Sequence, residues 1–78
     1  MSRQGRPLDP EKIERARLLR GWSQTDLARV AGLPVGTVHR ACGGKAVSVG
    51  TMLALSLAFA QNPARPELRL LIDGEEVA

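Results

Sequence analysis

The stretch Ser23-Gln24-Thr25-Asp26-Leu27-Ala28-Arg29-Val30-Ala31-Gly32-Leu33-Pro34-Val35-Gly36-Thr37-Val38-His39-Arg40 constrains this chain most. It reads as two short helices joined by a tight turn. Ser23 and Asp26 have the spacing of a capping box, in which each side chain satisfies a backbone donor at a helix start. Leu27, Ala28 and Ala31 then make one apolar stripe on a helix of about two turns. Gly32 stops it, since glycine enters the left-handed conformation that a helix end requires. Leu33 is the expected buried hinge, Pro34 opens the next helix, and Val38 is its core anchor. The opposite face of that second helix carries Gly36, His39, Arg40 and Gly43. Two glycines, an arginine and a histidine make a poor core face. They suit a helix lying in a DNA groove.

Elements on either side fall into place around this pair. Asp9-Pro10 is an N-cap followed by proline at the first helical position. The helix it starts should run from Pro10 to Arg20, with Ile13, Ala16 and Arg20 inward, and stop at Gly21. Trp22 folds back on that stop. Gly43-Gly44 closes the third helix. Ser48 caps a fourth, from Val49 to Gln61, ended by Asn62-Pro63. Met52, Leu55, Ser56 and Phe59 form one face of it. Leu53, Leu57 and Ala60 form another, where a surface helix would carry charges.

The tail is ambiguous. Leu68, Leu71 and Ile72 fit helical spacing behind Pro66-Glu67, whereas Leu68, Leu70 and Ile72 fit a strand with a turn at Asp73-Gly74. Propensity favours the short helix. The expectation is therefore an all-α bundle of four to five helices: a basic flexible arm over 1–9, the helical domain over 10–61, and a packing or dimerising tail over 62–78.

With 78 residues there is room for one small domain, and its only aromatic residues are Trp22 and Phe59. The core must be aliphatic. Charge is unevenly placed: residues 1–45 hold nine Lys or Arg against four Asp or Glu, while residues 46–78 hold two against four. A basic first half implies an anionic partner. Cys42 is the one cysteine, which excludes an intrachain disulfide and fits a reducing cytoplasm. Met1–Asp9 has no apolar segment of the kind export signals carry. The uncharged run 46–61 is too short for a membrane span of about 20 residues.

At these residues the chain resembles the Cro and phage-repressor type of helix-turn-helix regulators, the XRE family. The matching pattern is Arg17, Gly21-Trp22-Ser23-Gln24, Leu27-Ala28, Ala31-Gly32-Leu33, Thr37-Val38-His39-Arg40, Gly44-Lys45, Val49, Thr51-Met52 and Leu55. The resemblance implies double-stranded DNA as partner, a homodimer on a palindromic operator, and most commonly transcriptional repression. It implies that Gln24 holds a phosphate or braces the first base contact. Val35, Gly36, Thr37 and Arg40 would occupy the recognition-helix positions, joined on that face by His39. Gly44 and Lys45 would approach phosphate. Apart from the resemblance, Arg3 and Arg6 on the basic arm either reach the minor groove, as terminal arms sometimes do, or stay disordered and solvated. Leu53 and Leu57, with Leu68, Leu71 and Ile72, would form the dimer interface, and Leu18 and Leu19 also lie off the inward stripe.

Departures from the family pattern matter. Glutamate is common at the position of Cys42, where it pairs with the arginine matched by Arg17; here Arg17 needs another partner or must reach solvent. Gly43-Gly44 stands in place of a common Asn-Gly pair. Val35 and Gly36 offer no side-chain hydrogen bond to a base, although Val35 can touch a thymine methyl.

Other chemistries find little support. His39 and Cys42 lie three residues apart, but nothing orients the histidine and no oxyanion donor is placed. One His and one Cys leave a zinc ion short of ligands. No enzyme activity, metal or cofactor is expected. The alternative is a protein-interaction module, or an antitoxin-like partner-binding protein, on the same scaffold.

Overall fold

The computed structural model describes residues 5–74. Its elements in chain order are β1 (Arg6–Pro7), α1 (Pro10–Leu18), α2 (Gln24–Ala31), α3 (Val35–Cys42), β2 (Ala46–Val47), α4 (Val49–Ala60) and α5 (Pro66–Asp73). Each helix begins where a local signal places it. Asp9 accepts the Glu11 N–H at 3.0 Å. Ser23 Oγ accepts from Asp26 N–H while Asp26 accepts from Ser23 N–H, both at 3.0 Å, so the capping box is complete. Ser48 Oγ accepts from Thr51 N–H at 3.1 Å.

The helix ends follow from the chain's own turns. Regular α1 stops at Leu18, two residues short of the expected Arg20. The chain then closes on itself through Gly21 N–H to Leu18 O (3.0 Å) and Trp22 N–H to Arg17 O (3.1 Å), a Schellman pairing that absorbs the last carbonyls. Gly32 does the same for α2 at φ +71°, with Leu33 N–H on Ala28 O at 2.9 Å. A side chain at that φ would press its Cβ on the following carbonyl. The tail is helical, as propensity favoured, and Gly74 caps α5 instead of turning a hairpin.

Leu27, Val38 and Ala41 are wholly withdrawn from water, and Ile13, Ala28, Val47, Leu55 and Ala58 complete the core. Leu8, Trp22, Met52 and Phe59 pack around it half-buried, and so does Leu33, which is less enclosed than a buried hinge would be. Leu19 departs from expectation too: it is buried at 3% exposure instead of lying free of the inward stripe. Its carbonyl accepts the Arg65 N–H at 2.9 Å, so the start of α5 sits on the end of α1.

The largest difference is at the amino end. The arm expected to be flexible is tied down at residues 6 and 7, where Arg6 pairs with Val47 and Pro7 with Ala46 in an antiparallel ladder. The backbone groups of two extended segments satisfy one another there, while Val47 and Leu8 turn inward. Arg3 lies outside the described residues.

On α4 the inward face is Thr51, Leu55 and Ala58, flanked by Met52 and Phe59; Ser56 is exposed. Leu53 and Leu57 project outward at 64% and 55% exposure. An apolar groove of about 420 Å³ separates α1 from α4, lined chiefly by Leu8, Ile13, Ala16, Met52, Leu55 and Phe59. None of α5 is buried; an ion pair of Arg15 with Asp73 at 2.6 Å holds its end to α1. No described helix is long and apolar enough to cross a membrane.

Arg20 and Trp22 join the end of α1 to α4. The Arg20 guanidinium donates to the carbonyls of Ala16 (2.8 Å), Phe59 (3.0 Å) and Asn62 (2.5 Å), and lies 4.9 Å from the Phe59 ring centre. Trp22 stacks on the same ring at 6.3 Å between centroids. Because the indole is half-buried, Trp22→Ala should cost about 2–3 kcal/mol, less than a fully enclosed Trp. Thermal melting followed by circular dichroism should fall by roughly 10–20 °C, and Trp22→Phe should recover much of it. An unchanged melting point would show that the stack contributes nothing.

Candidate nucleic-acid interface

With Val38 and Ala41 buried, α3 turns Val35, Gly36, His39, Arg40 and Gly43 to the surface, and Thr37 sits half-buried at the edge. A Cβ at Gly36 would meet nothing within 4 Å, so this part of the helix is open to an approaching surface. Beyond α3, Lys45 N–H closes on Arg40 O at 2.9 Å and Gly44 N–H on Ala41 O at 3.2 Å, with Gly44 at φ +79°. That turn sets Lys45, which is exposed, beside the recognition face.

The ladder adds Arg6 to this neighbourhood. Arg40 makes a long 3.4 Å contact to the carbonyl of Ala46, Lys45 precedes Ala46 in the chain, and Arg6 pairs with Val47. Three exposed cations therefore surround β2. Four arginines elsewhere are committed: Arg15 to Asp73, Arg17 to Glu14, Arg29 to Asp26 at 3.3 Å, and Arg20 to three carbonyls. Among the described residues Arg6, Arg40 and Lys45 have no ion pair. These three cations give the end of α3 a local positive potential.

Gln24, the first residue of α2, is placed differently from a free phosphate ligand. Its Nε2 donates to Glu14 Oε2 at 3.1 Å, and its Oε1 is buried without a partner. Glu14 also answers the question of Arg17. The glutamate absent at Cys42 is replaced by one on α1 itself, three residues before Arg17, and the two form a close ion pair. Arg17 Nη1 donates in addition to the Trp22 carbonyl at 2.7 Å. The Arg17 hydrogen bond holds the Glu14 carboxyl below the usual carboxylate range, with Cys42 and Gln24 adding to it. The i,i+3 spacing of Glu14 and Arg17 was a visible signal; the reach across to Gln24 and Cys42 was not.

Cys42 is half-buried against the core, whereas His39, one turn before it on α3, is exposed to solvent. The two do not form a pair. Among the described residues no cluster of three or more His, Cys, Asp or Glu could hold a metal. Of the expected dimer residues, Leu53, Leu57, Leu71 and Ile72 are exposed, Leu71 at 78%. Leu68 is half-buried within its own chain, in the neighbourhood of Gly21.

A family model described as "Helix-turn-helix" matches residues 13–64, two thirds of the chain. Comparison with curated proteins returns no match, and comparison with solved structures returns none.

Burial first, and the Glu14 carboxylate second, push the Cys42 thiol up to about 12. At pH 8 the folded chain should hold roughly one thiolate in 10⁴, against about one in four for a free cysteine. Iodoacetamide should therefore alkylate the native protein at least tenfold more slowly than the urea-unfolded chain. Equal rates would place Cys42 in water and away from Glu14.

Proposed function

The chain belongs to the helix-turn-helix family, as an XRE-type DNA-binding transcription regulator, and from that premise we propose that it is a repressor that binds a palindromic operator as a homodimer. The observation that carries this reading is the outward face of α3, free of core duty and flanked by three cations. A major groove admits one such helix. Val35 would touch a thymine methyl, Gly36 would let the backbone close on the base edges, and Arg40 would pair with guanine. Thr37 and His39 would flank these contacts. Gly44, Lys45 and Arg6 would meet phosphate, as would the free donor of Gln24, while Arg3 would extend towards the minor groove. Such a protein works in the cytoplasm, on the nucleoid.

The dimer reading rests on α4, which carries no charge along its twelve residues and leaves Leu53 and Leu57 in water. Since α5 lies against α1, it does not cover them. A second copy related by a twofold axis would, with Leu71 and Ile72 at the margin and Leu68 behind them. Twofold pairing sets two recognition helices about 34 Å apart, one turn of DNA.

Selection of bound sites from a random duplex library tests the reading directly. On the selected site Arg40→Ala should cost about 1–3 kcal/mol and on random duplex almost nothing, as loss of a bidentate guanine contact does. Lys45→Ala should weaken both alike and flatten the salt slope by about one. A chain that retards no duplex at low salt is instead a protein-interaction or antitoxin-like module. For the dimer, sedimentation at micromolar concentration should give twice the monomer mass, reduced to one by Leu57→Glu. A wild-type monomer, free and on DNA, would remove the homodimer.

A further inference from the structure

Helices α1 and α2 are joined at one carboxylate. Glu14 projects from α1 and takes Gln24 Nε2 on Oε2 at 3.1 Å and Arg17 Nη2 on Oε1. Cys42, the last residue of α3, lies near enough for this carboxylate to raise its thiol pKa. Arg17 in turn holds the carbonyl of Trp22, the residue before the α2 cap. We propose that Glu14 is a positioning residue for DNA binding: it fixes the side chain of Gln24 and, through Arg17, ties α1 to the start of α2, so that Gln24 meets DNA in one arrangement. This rests on the DNA-binding reading above.

The chemistry of the groups explains why a carboxylate is needed. An amide side chain can present either its NH₂ or its oxygen, and the two orientations have nearly the same shape. An ionised carboxylate only accepts, so it turns the Gln24 NH₂ towards itself and forces Oε1 to the other side. There Oε1 is buried with no partner. A lone buried acceptor is unfavourable, and it persists because the charge-assisted bond to Glu14 outweighs it. One hydrogen on Nε2 is thereby committed inward, and the second remains for a phosphate oxygen.

Electrostatics make the position tolerable near DNA. A bare carboxylate beside phosphate would repel it, but the Arg17 guanidinium pairs with this one. The titratable groups that face Glu14 are Arg17 on its own helix and Cys42 from α3; α2 contributes only the neutral Gln24. Removing the carboxylate therefore has two separable effects. Gln24 becomes free to flip, and the charge of Arg17 is uncovered.

The test is Glu14→Gln, read by two measurements on the intact chain. In ¹H–¹⁵N spectra the wild-type Gln24 side-chain amide should be shifted and slow to exchange, and in the variant it should move to the position of free glutamine. On the selected duplex the variant should bind about tenfold more weakly, the scale of one hydrogen bond to a charged group. On random duplex its affinity should stay level or rise, because the uncovered Arg17 attracts phosphate. Combined with Gln24→Ala, the loss should be no larger than for Gln24→Ala alone.

An unmoved Gln24 resonance, or losses on the specific site that simply add, would overturn the proposal. So would equal loss on both duplexes, which marks general destabilisation. Should Glu14→Gln fail to fold, Glu14→Asp keeps the charge beside Arg17 but is one methylene short of Gln24, and the same readouts apply. A wild-type chain that binds no duplex removes the DNA-binding reading and, with it, a role for Glu14 in binding; the amide resonance then shows separately whether Gln24 is held.

Discussion

Exclusion of water from Leu27, Val38 and Ala41 governs the rest of this structure. α2 and α3 have eight residues each, well below the roughly 12–15 at which an isolated helix persists. Neither can exist on propensity alone, and α3 contains glycine and two β-branched valines that weaken it further. What forms it is burial of one narrow stripe against α1, α2 and β2. Only two of its eight residues are fully enclosed, so six positions are released from packing. A helix held so economically can spend most of its surface on a partner.

The geometry of that presentation comes from backbone more than from side chains. Gly32 reverses the chain in one residue at positive φ, and the bond from Leu33 to Ala28 leaves α2 no freedom to continue. Pro34 cannot donate to α2 and is already at a helical φ, so α3 begins at once. The angle between the helices is thus encoded in three consecutive residues. The capping box at Ser23 fixes the opposite end of α2.

These local devices are what made the fold legible in the sequence. Caps at Asp9, Ser23 and Ser48, stops at Gly21 and Gly32, and the apolar stripes each act within about five residues, so they can be read without knowing the fold. The outward face of α3 and the exposed leucines of α4 followed from the same periodicity. What was hidden depends on distant chain segments. Arg6–Pro7 and Ala46–Val47 are too short to show a strand period, and each is extended only because the other is there. Leu19 looked surplus to α1 because its cover arrives with the turn into α5. Gln24 looked free because Glu14 approaches it from another helix.

Charge illustrates the same limit and leads one step further. The sequence places a net positive charge on the first half of the chain but cannot say where it acts. Folding sorts it. The arginines of α1 and α2 are consumed in holding the scaffold together: to Asp73, to Glu14, to Asp26, and to the carbonyls at the end of α4. The three carboxylate pairs leave little field beyond their own neighbourhood, since each of those cations is neutralised within a few ångströms. Arg6, Arg40 and Lys45, which have no ion pair, gather where β1, β2 and the end of α3 meet. A polyanion drawn to these three cations would approach the side on which α3 is exposed. Electrostatic steering and groove reading then act from a single direction, which is the arrangement a small domain needs if diffusion is to deliver its recognition helix already facing the DNA.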